Sequence, residues 1–169
     1  MTTTRRVVAA AFGGPENLTV EEVGLPDPGP RQARVAVRAA GVNPVDVKMY
    51  AGPGDPSALP VRPGFEAAGV MTAVGSGAVD DAGSLSVGDE VIAFRAPGAY
   101  ATDLVVDDSV LTRKPPSLDW APAAGLLLAG ATAVHTLEAT AVGSGDTVLV
   151  HGAAGGVGLS AVQLARLRG

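Results

Sequence analysis

Gly145-Asp146-Thr147-Val148-Leu149-Val150-His151-Gly152-Ala153-Ala154-Gly155-Gly156-Val157-Gly158 is the stretch that decides the fold. Thr147 to Val150 is a short run rich in β-branched residues, which suits a fully buried parallel strand. A glycine-rich turn follows at once. From Gly156 the spacing of Val157, Ala161, Leu164 and Ala165 predicts a helix, with Gln163 and Arg166 on its other side. Strand, glycine turn and helix in immediate succession suit a dinucleotide pyrophosphate, because unpaired N–H groups and the positive end of the helix dipole both face the anion. Gly152 would make the turn, Gly155 and Gly156 would leave space for phosphate, and Gly158 would let the helix press against its strand. A connection that merely needs positive φ is the plainer reading of the same glycines. The spacing departs from GxGxxG, since Ala154 sits where a second glycine would be.

Upstream of this stretch the texture changes twice. Asp119 can cap a helix with Pro122 in its first turn, and Trp120 to about Ala139 is apolar almost all round, which predicts a buried helix. Pro122, Gly125 and Gly130 interrupt it, and its apolar run falls short of the roughly 20 residues of a membrane span. From Arg5 to Lys114, short β-like runs alternate with Gly/Pro turns, the pattern of an all-β sandwich or barrel. The expected strands are Val7 to Phe12, Leu18 to Val23, Ala33 to Ala40, Glu66 to Val74, Glu90 to Phe94 and Tyr100 to Val106. Val42 to Tyr50 reads as a short helix whose first turn is set by Pro44. The predicted organisation is a β domain over residues 1–118, then strand, turn and helix elements over 119–169.

Composition narrows the function classes. With 47% hydrophobic and 17% charged residues the chain has ample apolar material for a core. A net charge of -5, with no Lys/Arg-rich run, disfavours nucleic acid as a partner. The absence of cysteine removes disulfides, thiolate zinc sites and a cysteine nucleophile together. Arg5 and Arg6 precede only the brief apolar run Val7 to Phe12, too short for a secretory signal, so a cytoplasmic address is the default. His135 is expected as a packed histidine on a buried helix, and His151 as a residue that shapes the loop.

Gly152-Ala153-Ala154-Gly155-Gly156-Val157-Gly158 resembles the AxxGGVG cofactor loop of zinc-independent medium-chain dehydrogenase/reductases, in particular their quinone oxidoreductase (zeta-crystallin-like) branch. Gly41-Val42-Asn43-Pro44-Val45-Asp46, Pro63-Gly64-Phe65-Glu66-Ala67-Ala68-Gly69, Val87-Gly88-Asp89-Glu90-Val91 and Gly145 to Val150 resemble the same family in order and spacing. The implied fold is α+β to α/β: a GroES-like β-barrel on the substrate side over residues 1–118, then the start of a Rossmann doubly wound parallel sheet over 119–169. Zinc-dependent relatives carry a cysteine and a histidine ligand at the places of Asn43 and Phe65. An amide and a phenyl ring do not replace them on Zn²⁺, so no metal is expected. Val45 matches the place of the hydroxyl that relays a proton in zinc alcohol dehydrogenases, which disfavours that chemistry.

The resemblance then implies hydride transfer from NADPH, with NADH left open, to a small-molecule quinone or α,β-unsaturated carbonyl. Asn43 would line the reacting end, its amide donating to a substrate oxygen or holding the ribose side, with Lys48 and Tyr50 near it as candidate catalytic groups. Thr132 and the loop residues Gly152, Ala153, Ala154, Gly155, Gly156, Val157 and Gly158 are the cofactor-binding candidates. Asp46 is expected to cap or brace its helix. A dinucleotide domain of this type uses about six parallel strands, whereas this stretch supplies one. Val148, Val150, Leu164 and their neighbours are therefore expected to expose apolar surface, a hazard for aggregation or dimerisation, and a homo-oligomer is left open. The rival class is a noncatalytic β module that binds or completes a neighbouring chain.

Overall fold

The computed structural model describes residues 2–169. Its elements are β1 (Thr2–Ala9), β2 (Leu18–Leu25), β3 (Gln32–Ala40), α1 (Pro44–Lys48), β4 (Glu66–Val74), β5 (Val79–Asp80), β6 (Gly83–Ser84), β7 (Glu90–Phe94), β8 (Asp103–Asp107), β9 (Leu111–Arg113), α2 (Trp120–Ala124), α3 (Leu127–Ala139) and α4 (Gly156–Leu167). They divide into two compact units, one ending at Gly125 and one spanning Leu126–Gly169. The division falls beyond the expected boundary at residue 118 because α2 packs on β3 and β4 of the first unit.

The first unit is an antiparallel β domain built on a five-stranded sheet in the order β8-β3-β4-β7-β9, with β1-β2 and β5-β6 as hairpins. β4 lies at its centre because Glu66-Ala67-Ala68-Gly69-Val70-Met71 offers small and apolar residues to both neighbours, and Ala67, Ala68 and Met71 are at most 1% exposed. Ala33, Val35, Met71, Val91, Ala93 and Leu111 form the principal core cluster. The expected bounds of the strands 66–74 and 90–94 match β4 and β7. β1 starts earlier than its expected span and stops at Ala9, β8 begins only at Asp103, and β5, β6 and β9 were not foreseen. Arg6 and Ala101 form an isolated bridge, so Tyr100 to Thr102 joins β1 before β8 begins.

α2 is fastened by Lys114. Its Nζ donates to the carbonyls of Leu118 (2.7 Å) and Pro115 (3.2 Å), pairs with Glu90 Oε2 at 2.9 Å and sits 4.9 Å from the centre of the Trp120 ring. These contacts satisfy a buried ammonium, which would otherwise carry a large desolvation cost.

In the second unit α3 and α4 pack together. The single buried helix expected over 120–139 is instead α2 and α3, divided at Gly125, and only Ala133 and Leu137 of α3 are buried. His135 is exposed on α3, contrary to the packed position expected. Thr147 to Val150 pairs with no strand among the described residues, so the expected buried strand is not formed there. Val148 and Val150 line a cleft of about 250 Å³ with Val162 and Ala165, while Leu149 is 81% exposed. An interior parallel strand needs a hydrogen-bonded neighbour and cover on both faces, and these residues have α4 alone. Among the described residues no helix is long and apolar enough to cross a membrane.

Candidate functional site

Asn43 is held from two sides within the first unit. Its extended backbone (φ −127°, ψ 153°) places it just before α1, whose first helical position is Pro44. Its backbone N–H donates to Asp46 Oδ2 at 2.7 Å, and its side-chain Nδ2 donates to Glu66 Oε1 at 2.9 Å. Asp46, three residues on, thus braces the start of α1 as expected, in the manner of the acidic member of a capping box. Tyr100 Oη donates to the same Asp46 oxygen at 2.8 Å. Burial of Tyr100, reinforced by its hydrogen bond to Asp46, pushes the phenol well above its ordinary value, so it stays a donor.

Two carboxylates buried at this depth are unusual in so apolar a chain. Glu66 is 0% and Asp46 1% exposed, and such groups persist only where donors meet them. Asp46 Oδ2 receives two donors, whereas the buried Oδ1 has no hydrogen-bond partner. Gly41 makes the arrangement possible, because a Cβ at that position would lie 2.7 Å from Glu66 Cγ and 2.5 Å from the Ala124 carbonyl oxygen. Phe65 packs edge-on against Phe94, with ring centres 6.1 Å apart.

The other two catalytic candidates lie in different surroundings. Lys48 is exposed at the end of α1. Tyr50 is 6% exposed and packs with Ala9 and Val61 in a separate apolar cluster, so its ring belongs to the support beneath α1. Glu66 and Tyr100 are the partners that sequence reading missed. The signal for Glu66 was a carboxylate at the head of an apolar strand, whereas Tyr100, distant in sequence, left none.

The glycine loop occupies the second unit. Gly152 has φ +68°, Gly155 N–H donates to the Gly152 carbonyl at 3.0 Å, and Leu159 N–H donates to the Gly155 carbonyl at 2.8 Å. The last of these starts the α4 ladder, so helix geometry leaves the N–H groups of Gly156, Val157 and Gly158 without intrahelical acceptors. No side chain caps this end, and residues 151–157 are exposed. A Cβ on Gly158 would collide with the Gly152 carbonyl oxygen and lie 2.7 Å from Ala153 Cα, so the loop folds directly over the first turn of α4. Open donors beside a backbone free of large side chains fit a pyrophosphate. Thr132 is exposed on α3, its hydroxyl donating to the Leu128 carbonyl at 2.7 Å, which leaves its lone pairs outward.

The alcohol dehydrogenase GroES-like domain family matches residues 29–116, a span that includes Asn43, Asp46, Glu66 and Tyr100. The chain belongs to the medium-chain dehydrogenase/reductase superfamily. Within that superfamily it is similar to a quinone oxidoreductase of Pseudomonas aeruginosa, 39% identical over 98% of this chain and 50% of the relative. A 2-haloacrylate reductase of a Burkholderia species is 40% identical over 91% of this chain and 47% of the relative. A mycobacterial protein solved with NADPH superposes with a TM-score of 0.85 at 36% identity, over 98% of this chain and 50% of that one. The chain thus spans about half the length of the medium-chain reductases it matches.

Proposed function

We propose that this chain carries the substrate-side β domain and the cofactor loop of a metal-free NADPH-dependent reductase acting on a quinone or an α,β-unsaturated carbonyl. The observation that carries the reading is the open N-terminus of α4 under a loop whose largest side chains between Gly152 and Gly156 are methyl groups. Relatives named quinone oxidoreductase and 2-haloacrylate reductase support the acceptor class, and the mycobacterial relative solved with NADPH supports the cofactor.

In this reading the N–H groups of Gly156, Val157 and Gly158 bind the pyrophosphate, and Thr132 offers its outward oxygen to the cofactor. Bound NADPH supplies the hydride. Asn43, oriented by Glu66 and Asp46, presents what remains of its amide hydrogen-bonding capacity to the acceptor's oxygen side. Lys48 is an exposed cation available to the enolate or quinol oxyanion that develops on the substrate. Tyr50 supports α1 by packing. Phe65 and Asn43 offer zinc neither imidazole nor thiolate, in keeping with metal-free chemistry.

The test is a pair of measurements on the chain: the rise in melting temperature with NADPH, and NADPH consumption with 1,4-benzoquinone or a conjugated enone. A ligand at 100 times its Kd adds about 2.7 kcal/mol to the unit that binds it. No rise in melting temperature at millimolar NADPH refutes the cofactor assignment, and binding without consumption of either acceptor refutes the reductase.

A further inference from the structure

Asn43 contacts two buried carboxylates, and one of these is itself held by a residue from a different strand connection. Asp46 Oδ2 sits between the Asn43 N–H at 2.7 Å and the Tyr100 hydroxyl at 2.8 Å. Its other oxygen, Oδ1, is buried and unpartnered. The carboxylate is therefore located by these two donors together, and no hydrogen bond to its far oxygen would hold it if one were lost. Tyr100 is in turn fixed by the backbone, since its carbonyl accepts the Val7 N–H at 2.9 Å. We propose that Tyr100 is a positioning residue, which acts through Asp46 to set where Asn43 stands at the mouth of α1.

Asp46 Oδ2 accepts from both donors, so the carboxylate gains its place from Tyr100 and lends it to the Asn43 N–H. The Tyr100 hydroxyl meets that need without adding charge to an apolar surrounding. Glu66 separately fixes the amide end, taking one Nδ2 hydrogen at 2.9 Å, and Gly41 leaves room for it. Asn43 is thus pinned at its backbone by the Tyr100-Asp46 pair and at its amide by Glu66. The first pin is the one that carries a hydrogen bond from Tyr100. Its functional consequence rests on the reductase reading above, in which Asn43 faces the substrate.

The experiment is Tyr100→Phe in the whole chain, followed by hydrogen exchange of individual backbone amides and by steady-state kinetics with NADPH and 1,4-benzoquinone. One hydrogen bond of about 1 kcal/mol corresponds to roughly a fivefold to tenfold change, so exchange at Asn43 is expected to quicken by about that factor while Ala67 and Met71 in β4 stay protected. The turnover number is expected to fall about tenfold, with KM for NADPH within about twofold, because a displaced orienting group affects the reacting geometry more than cofactor binding. Faster exchange throughout β4 would mean that Tyr100 serves the fold alone and would overturn the proposal, as would unchanged exchange at Asn43. Should Tyr100→Phe not fold, Tyr100→Met, which also removes the hydroxyl while keeping apolar bulk, decides in its place by the same exchange criterion. Absence of turnover in the unsubstituted chain would sink the reductase reading, and the exchange result would still decide whether Tyr100 positions Asn43.

Discussion

Gly158→Ala is the perturbation that separates a packed cofactor loop from a loose connection. The new Cβ would lie 2.7 Å from Ala153 Cα, whereas ordinary contact begins at 3.4 Å, so the loop must retreat by at least about 0.7 Å. The closer obstacle is the Gly152 carbonyl oxygen, and both are backbone atoms that no rotamer change moves aside. Overpacking of this kind costs about 1–3 kcal/mol. The retreat also carries the Gly152 turn away from the open N–H groups of α4, and a loss of about 1.4 kcal/mol in binding is tenfold in Kd. Gly156→Ala is the control for stability, because its Cβ would meet Ala129 Cβ at 3.4 Å, an ordinary contact. Urea unfolding followed by far-UV circular dichroism should show the loss for Gly158→Ala alone. Calorimetric titration with NADPH should show at least a tenfold weaker Kd for Gly158→Ala. Wild-type stability and affinity in Gly158→Ala would refute the close packing on which the cofactor assignment rests.

Asn43→Ala is expected to lower the turnover number more than it raises KM for NADPH, about tenfold or more against less than twofold, by steady-state kinetics; the opposite split would move Asn43 to the cofactor side. Lys114→Met leaves Glu90 without its ammonium and α2 without its clasp, and should cost about 1–3 kcal/mol in urea unfolding followed by Trp120 fluorescence. The Val79 N–H, with the Arg31 guanidinium beside it, holds the Asp108 carboxyl below the usual carboxylate range. That contribution is complete above the unfolded value of about 3.9 and disappears as pH falls through the folded value, so Asp108→Asn should lower stability at pH 7 and flatten its decline below about pH 4; an unchanged acid limb would argue against it. Leu149 and Leu167 are 81% and 83% exposed, so Leu149→Glu with Leu167→Glu should reduce self-association in sedimentation velocity while leaving the melting temperature unchanged.

The Asn43 site was legible in the sequence only where its partners are close along the chain. Asp46 stands three residues from Asn43, the spacing at which an acidic side chain reaches back to the N-terminal N–H of a helix, and the brace could be read directly. Glu66 and Tyr100 reach the same site from β4 and from the segment that bridges to β1, and their approach depends on strand order and register that residue spacing does not encode. Tyr50 shows the converse. It is near Lys48 in sequence, yet the turn after α1 sends its ring into the cluster with Ala9 and Val61. Packing decides where the ring lies, and the phenol still acts electrostatically on Tyr100.

The fold divides along the same line. Glu66 to Val74 could be bounded from sequence because Gly64 precedes it, Gly75 follows it, and both neighbouring strands are present to pair with it. Thr147 to Val150 has as strong a local pattern, β-branched residues between two glycine turns, and still forms no ladder. The difference lies in what surrounds each run. Val148 and Val150 find α4 on one side, and Leu149 on the other side meets solvent. Burial of a large apolar side chain stabilises by about 1.5–3 kcal/mol, a gain that Met71 makes within strand 66–74 and that Leu149 forgoes. β-propensity describes how well a residue fits a covered, hydrogen-bonded surface. Where pairing strands and a covering layer are present, the pattern predicts the element; at 147–150 they are absent from the described residues, and the same pattern yields no ladder.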